Sequence, residues 1–259
     1  MRSFPDPPAF TQPIPADPAS IARGEHLART RGCAGCHGPR LEGQVFHDGN
    51  WFSGRAVAPN LARLAREVPP ATLEAAIRRG IGRDGRALYT MPSYNFITMT
   101  DADVAALIAY LRSAPVADQP LPRPILGVRV RWALATGSDW AIPHFLGRVP
   151  QLAWQSHADP AVRRGEYLAM TSCNECHGFG LRGDDPWAPA VGGPPDLAIV
   201  GGYGRADFVR LMRTGKAVGN RELGLMSQVA RGRFVHWSDR EVEDLYAFLT
   251  AMAAGPPPP

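Results

Sequence analysis

No stretch of this chain approaches the 18 consecutive apolar residues that a membrane-crossing helix needs. The opening, Met1-Arg2-Ser3-Phe4-Pro5-Asp6-Pro7-Pro8, also lacks the apolar core of an export signal. Neither a phosphate-cradling glycine loop nor a Ser/His/Asp constellation stands out, and no pair of carboxylates is placed near the cysteine motifs described below. Phosphoryl transfer and nucleophilic hydrolysis therefore have no foothold. Charge of one sign is scarce as well: the formal net charge is only +4, and the arginines, which far outnumber the lysines, are spread along the chain instead of forming a block. A nucleic-acid partner is not implied.

Cysteine is rare too, yet all four copies fall in two pentapeptides, Cys33-Ala34-Gly35-Cys36-His37 and Cys173-Asn174-Glu175-Cys176-His177. Each has the C-x-x-C-H spacing that attaches a c-type haem. Two thiols one helical turn apart reach the two vinyl groups on one porphyrin edge, and the adjacent histidine reaches the iron from below. A zinc ribbon would need its pairs about 15–20 residues apart, and these lie more than a domain's length from each other. A thioredoxin-like dithiol would need a βαβ setting, whereas both motifs follow short amphipathic helices in a chain rich in Gly and Pro with few β-branched runs. The expected cofactors are two covalently bound haem c groups. Covalent haem attachment normally takes place outside the bacterial cytoplasmic membrane. The expected location is therefore periplasmic, or on the periplasmic face of that membrane, with a signal peptide or anchor missing from the given chain.

The chain repeats itself with a period of about 140 residues. Arg23-Gly24-Glu25-His26-Leu27-Ala28 matches Arg164-Gly165-Glu166-Tyr167-Leu168-Ala169, and Gly38-Pro39-Arg40-Leu41-Glu42-Gly43 matches Gly178-Phe179-Gly180-Leu181-Arg182-Gly183. Pro59-Asn60-Leu61 matches Pro195-Asp196-Leu197, and Arg79-Gly80 matches Thr214-Gly215. Both halves close with an amphipathic helix opened by a capping pattern, Thr100-x-x-Asp103 and Ser238-x-x-Glu241. Each half thus reads helix, C-x-x-C-H, long loop, short helix, loop with a methionine, closing helix. This order resembles the class I cytochrome c family, and the duplication resembles tandem dihaem c-type cytochromes.

The resemblance implies an all-α fold of two tandem class I cytochrome c domains joined by a long, largely ordered connector. The expected boundaries are a Pro-rich tether at 1–18, a first domain at 19–114, the connector at 115–158, a second domain at 159–254 and a Pro-rich tail at 255–259. It also implies that Gly24 and Gly165 face the closing helices at close range, and that Pro59 and Pro195 offer carbonyls to the haem-bound histidines. The connector carries Trp132, Trp140 and Trp154, which suit either packing across both domains or a partner surface.

His37 and His177 are the expected fifth ligands, with Cys33, Cys36, Cys173 and Cys176 forming the thioethers. The sixth ligand decides the function, because a Met thioether favours ferrous iron and closes the site to exogenous ligands. Met91 leads in the first half, in Tyr89-Thr90-Met91-Pro92, where the resemblance also places a Met-Pro loop. Met99, directly before the Thr100 cap, ranks second. In the second half Met226 lies 49 residues after His177, against 54 between His37 and Met91, but Ser227 stands where proline is expected. Met212 reads as core filler, and His47 and His236 are the competing histidines.

With His/Met coordination at both irons, the chain is expected to be an electron-transfer protein or subunit and not itself an enzyme. Its electrons would pass from a dehydrogenase or quinol-oxidising complex to an oxidase or small cytochrome. The surroundings of the motifs are similar to cytochrome c subunits of bacterial membrane-bound dehydrogenases, which implies association with a membrane complex. The alternative is a dihaem enzyme, such as a peroxidase, with one open iron.

Overall fold

The computed structural model describes residues 10–136, 142–183 and 193–257. Trp140, the start of the N-terminal tether and the last two prolines lie outside them. The chain divides into two compact units, Met1–Gly147 and Arg148–Pro259, so that the segment after residue 114 is shared between them.

In the first unit α1 (Pro18–Thr30) starts at Asp17, whose carboxylate accepts from the Ser20 amide at 2.9 Å, with Pro18 at the first helical position. An acidic cap followed by proline satisfies one orphan amide and removes another. After α1 come the one-turn α2 (Cys33–His37), α3 (Leu61–Glu67), α4 (Pro70–Arg79) and a 3₁₀ turn at Ser93–Asn95. The closing helix α5 (Asp101–Ser113) begins at Thr100, which accepts from the Asp103 amide, while the Asp103 carboxylate takes a bidentate bond from Arg23 of α1 at 3.0 Å. α1 packs across α5. The core between them is built from Leu27, Ala28, Val104, Leu107, Ile108 and Leu111, and Cys33 and Met91 both pack against it.

The all-α expectation needs one amendment. Within the long loop after the first motif, β1 (Gln44–Asp48) and β2 (Gly54–Ala58) form an antiparallel hairpin with an irregularity between Val45 and His47. A third strand, β3 (Ile125–Leu126), pairs with β2. The hairpin turn is tied by Asn50, whose side chain accepts from the Phe52 and Ser53 amides. Its other support is tertiary: Val128 and Arg129 amides donate to the Trp51 and Phe52 carbonyls. A sheet assembled from residues 70 positions apart leaves little periodic trace in either segment. α6 (Val128–Ala135) and α7 (Pro143–Leu146) complete the unit. Trp51, Phe52 and Trp132 stay exposed.

The second unit has α8 (Pro160–Met170), capped by Asp159 with Pro160 at its first position, packed across α12 (Asp239–Ala254), where Ser238 and Glu241 complete a reciprocal capping box. Between them lie α9 (Asn174–His177), a 3₁₀ segment at Leu197–Gly202, α10 (Arg205–Thr214) and α11 (Leu225–Gly232). Trp154 is buried and meets Phe248 of α12 edge-on, with ring centres 5.8 Å apart. Of the connector tryptophans, Trp154 is therefore a packing residue within this unit, whereas Trp132 is not buried.

Trp154 is held there by Glu166 of α8. This buried carboxylate accepts from the Ala153 and Trp154 amides and from Gln155 Nε2. Glu166→Ala would leave buried donors without a partner, and charge-assisted bonds are worth more than neutral ones. The expected loss is about 3 kcal/mol. Urea unfolding of the holoprotein checks this; a midpoint equal to wild type would mean the clamp does not anchor the segment. Among the described residues no helix is long and apolar enough to cross a membrane.

Candidate haem sites

Each C-x-x-C-H stretch winds into one helical turn directly after the first helix of its unit. In the first unit Gly32 supplies the left-handed residue (φ 78°) that turns the chain out of α1 and into α2. Cys36 lies at the surface, the other three cysteines are half-buried, and none of the four is in a disulfide. A pair of thiols one turn apart on a helix fits thioether attachment. Among the described residues no group of three or more His, Cys, Asp or Glu converges as a metal-ion site would require.

The motif histidines are held alike. His37 Nδ1 lies 2.9 Å from the Pro59 carbonyl, and His177 Nδ1 lies 2.9 Å from the Pro195 carbonyl. A carbonyl can only accept, so Nδ1 carries the proton in each ring and Nε2 is left with its lone pair for a metal. Burial pushes the His37 ring below its ordinary pKa, and the Pro59 carbonyl opposes part of that shift. Such a ring is neutral at pH 7, as a ligand must be.

The loop that carries each proline is fixed by a matching set of backbone bonds. Gly43 N–H donates to His37 O at 2.7 Å and Gly183 N–H to His177 O at 2.8 Å. Leu61 N–H reaches Leu41 O and Leu197 N–H reaches Leu181 O, at 2.8 and 2.9 Å. Leu41 and Leu181 both sit at φ 60°, a left-handed conformation that costs a leucine free energy, and both are buried. The same strain at the same place in both units turns an apolar side chain inward beside the motif.

Met91 is half-buried in the turn before α5. Met99 is buried in the core, where its carbonyl accepts from Arg78 Nη1 at 3.0 Å. In the second unit Met226 is half-buried, but it stands on α11, not in the loop that its place in the repeat predicts. Gly224, at φ 55° and ψ −118°, lets the chain enter that helix abruptly. Met212 is fully buried on α10. His47 on β1 and His236 are exposed.

Two arginines that the motif search did not single out clamp these segments. Arg78 donates to Met99 O and to Asp101 (2.6 Å), and Arg213 donates to Trp237 O (2.6 Å) and Asp239 (2.6 Å). Each grips the carbonyl just before a closing-helix cap and the acid that opens the helix. The signal was present: both stand two residues before the glycine that ends the short helix. Arg78 also pairs with buried Glu74, which has no counterpart at Val209.

A second network braces the strand of chain before Met226. Lys216 and Arg231 both reach Glu222 at 2.6 Å and hold its carboxyl down to about 2, Lys216 having the larger effect. A depressed acid stabilises the fold above its unfolded value and loses that contribution as pH falls through the folded one. This brace should therefore weaken between pH 4.5 and about 2. Carboxyl NMR of the holoprotein checks it: a Glu222 midpoint above 4 would show the brace absent in solution.

The sequence model of the cytochrome c family matches residues 21–115. These residues are a cytochrome c domain. Over nearly its whole length the chain is homologous to cytochrome subunits of dehydrogenases. The cytochrome c subunit of the quinone alcohol dehydrogenase of Gluconobacter oxydans is 30% identical over 93% of this chain and 56% of its own length. The fructose dehydrogenase cytochrome subunit of Gluconobacter japonicus is 29% identical over 94% of this chain and 55% of its own length. The gluconate 2-dehydrogenase cytochrome c subunit of Pantoea cypripedii is 25% identical over 92% and 61%. The chain thus spans a little over half the length of these curated relatives. The cytochrome c domain contains the first motif, its proline loop and Met91; the second motif lies beyond residue 115.

Proposed function

We propose that this chain is a dihaem c-type cytochrome that transfers electrons as the partner of a dehydrogenase. One haem c is attached at Cys33 and Cys36 with His37 and Met91 as axial ligands, the other at Cys173 and Cys176 with His177 and Met226. When bound, each haem supplies a one-electron couple, and Met ligation favours its ferrous state. The chain's own residues attach, orient and shield it. Pro59 and Pro195 hold the proton on Nδ1, the two left-handed leucines present apolar surface, and the arginine clamps fix the chain that follows each methionine.

The observation that carries this reading is the duplicated bond from a motif histidine to a proline carbonyl, at 2.9 Å in both units. The names of the relatives support a dehydrogenase as electron donor. The acceptor is an oxidase or a small cytochrome, and the place of work is the periplasm or the periplasmic face of the cytoplasmic membrane.

The mass of the denatured protein, taken together with the ferric optical spectrum of the native one, tests the reading. Two haem masses and two low-spin irons are expected. One haem mass would end the dihaem proposal. A high-spin fraction of about one half would mean one open iron and an enzyme of the peroxidase type.

A further inference from the structure

We propose that Ser227 is the positioning residue of Met226, and that its hydroxyl bridge does for the second methionine what the Pro92 ring does for the first. The proposal rests on the reading of Met91 and Met226 as sixth ligands. In the first unit Met91-Pro92-Ser93 forms an inverse γ-turn: Pro92 has φ −78° and ψ 61°, and Ser93 N–H donates to Met91 O at 2.8 Å. The pyrrolidine ring fixes that φ and removes an amide that would otherwise need a partner. The turn is tied to α4 by the fully buried Ser93, whose hydroxyl donates to Ala76 O at 2.7 Å.

The second unit lacks the proline, and the approach to Met226 runs through Gly224 in a conformation that glycine enters most readily. Nothing covalent restrains this turn. Ser227, 1% exposed, supplies the restraint instead: its Oγ accepts from Leu223 N–H at 2.8 Å and donates to Gly215 O at 2.6 Å. One hydroxyl thus joins the segment three residues before Met226 to the end of α10, and the peptide bond that links Ser227 to Met226, the residue just before it, holds Met226 beside that junction. The contact is close: a Cβ added at Gly215 would fall 2.6 Å from Ser227 O.

This is not ordinary helix capping. A capping serine precedes the helix and accepts from an amide inside it. Ser227 is the third residue of α11 and accepts from an amide outside it.

Three variants of the full-length holoprotein test the assignment. In Ser227→Ala the Met-to-iron charge-transfer band of the second haem should weaken, and imidazole should bind that ferric iron about five-fold more tightly, the scale of one lost buried hydrogen bond. Ser227→Thr keeps the hydroxyl and should restore both readouts, which a merely structural role would not move together. Ser227→Cys, nearly isosteric with a weaker donor, should fall between wild type and Ala, and it provides the same reading if Ser227→Ala fails to mature.

Wild-type band intensity and imidazole affinity in Ser227→Ala, or in Ser227→Cys if Ala does not mature, would overturn the proposal. Met226→Ala separates the two levels of the argument. If it leaves the second haem's spectrum unchanged, the ligand reading has failed irrespective of the serine. If it opens the iron while Ser227→Ala changes nothing, the ligand reading stands and the positioning role falls.

Discussion

Met91→Ala should turn about half of the ferric haem high-spin and remove about half of the Met-to-iron charge-transfer band, with the other haem unchanged. Met226→Ala should do the same to the complementary half, and the double variant should have no band left. A thioether stabilises ferrous iron, so the potential of the altered haem should also fall. Met99 provides the contrast in the first unit. It is 2% exposed, sits in the apolar core and has its carbonyl held by Arg78. Met99→Leu, a near volume-conserving change, should cost less than about 1.5 kcal/mol and leave the spectrum alone. Optical titration of the four purified holoproteins decides the matter; if Met99→Leu removed about half of the band while Met91→Ala preserved it, the assignment in the first unit would be reversed.

What was legible in the sequence was local in origin. The C-x-x-C-H turns rest on five contiguous residues, and the closing helices announce themselves through short-range chemistry, Thr100-x-x-Asp103 and Ser238-x-x-Glu241. The features that escaped depend on distant partners. The β1–β2 hairpin is completed by β3 from the far end of the unit. Met226 lies on a helix because Gly224 can take an unusual backbone angle and because Ser227 meets Gly215, which no periodicity in the segment reveals. Arg78 and Arg213 looked like two members of a large, scattered set. Only their targets, a carbonyl and an acid at each closing helix, set them apart. The family resemblance implied that Gly24 and Gly165 face the closing helices at close range, without giving the distance that makes them matter.

That distance reverses the effect expected of a helix substitution at these two glycines. In an exposed helix, replacing Gly by Ala gains roughly 0.8–1 kcal/mol of propensity. At Gly24 the new Cβ would stand 2.0 Å from Ala106 O and 2.7 Å from Tyr110 Cβ; at Gly165 it would stand 2.0 Å from Asp244 O and 2.5 Å from Phe248 Cβ. The carbonyls belong to helix backbone and cannot rotate away, so the crossing helices must separate or one of them must distort. Separation would open the core on both sides of the crossing, through Leu27, Val104 and Ile108 in the first unit and through Leu168, Val242 and Leu245 in the second. Overpacking of this kind commonly costs 1–3 kcal/mol, and the backbone contact puts these sites at about 3 kcal/mol net after the propensity gain. Against a typical domain stability of about 5–15 kcal/mol, that is a large fraction. Gly202→Ala is the control, because Gly202 has nothing within 4 Å of an added Cβ and no left-handed backbone to strain. Thermal unfolding of the holoproteins should show Gly165→Ala far below wild type and Gly202→Ala close to it. Equal midpoints would mean that α8 and α12 do not cross at Gly165.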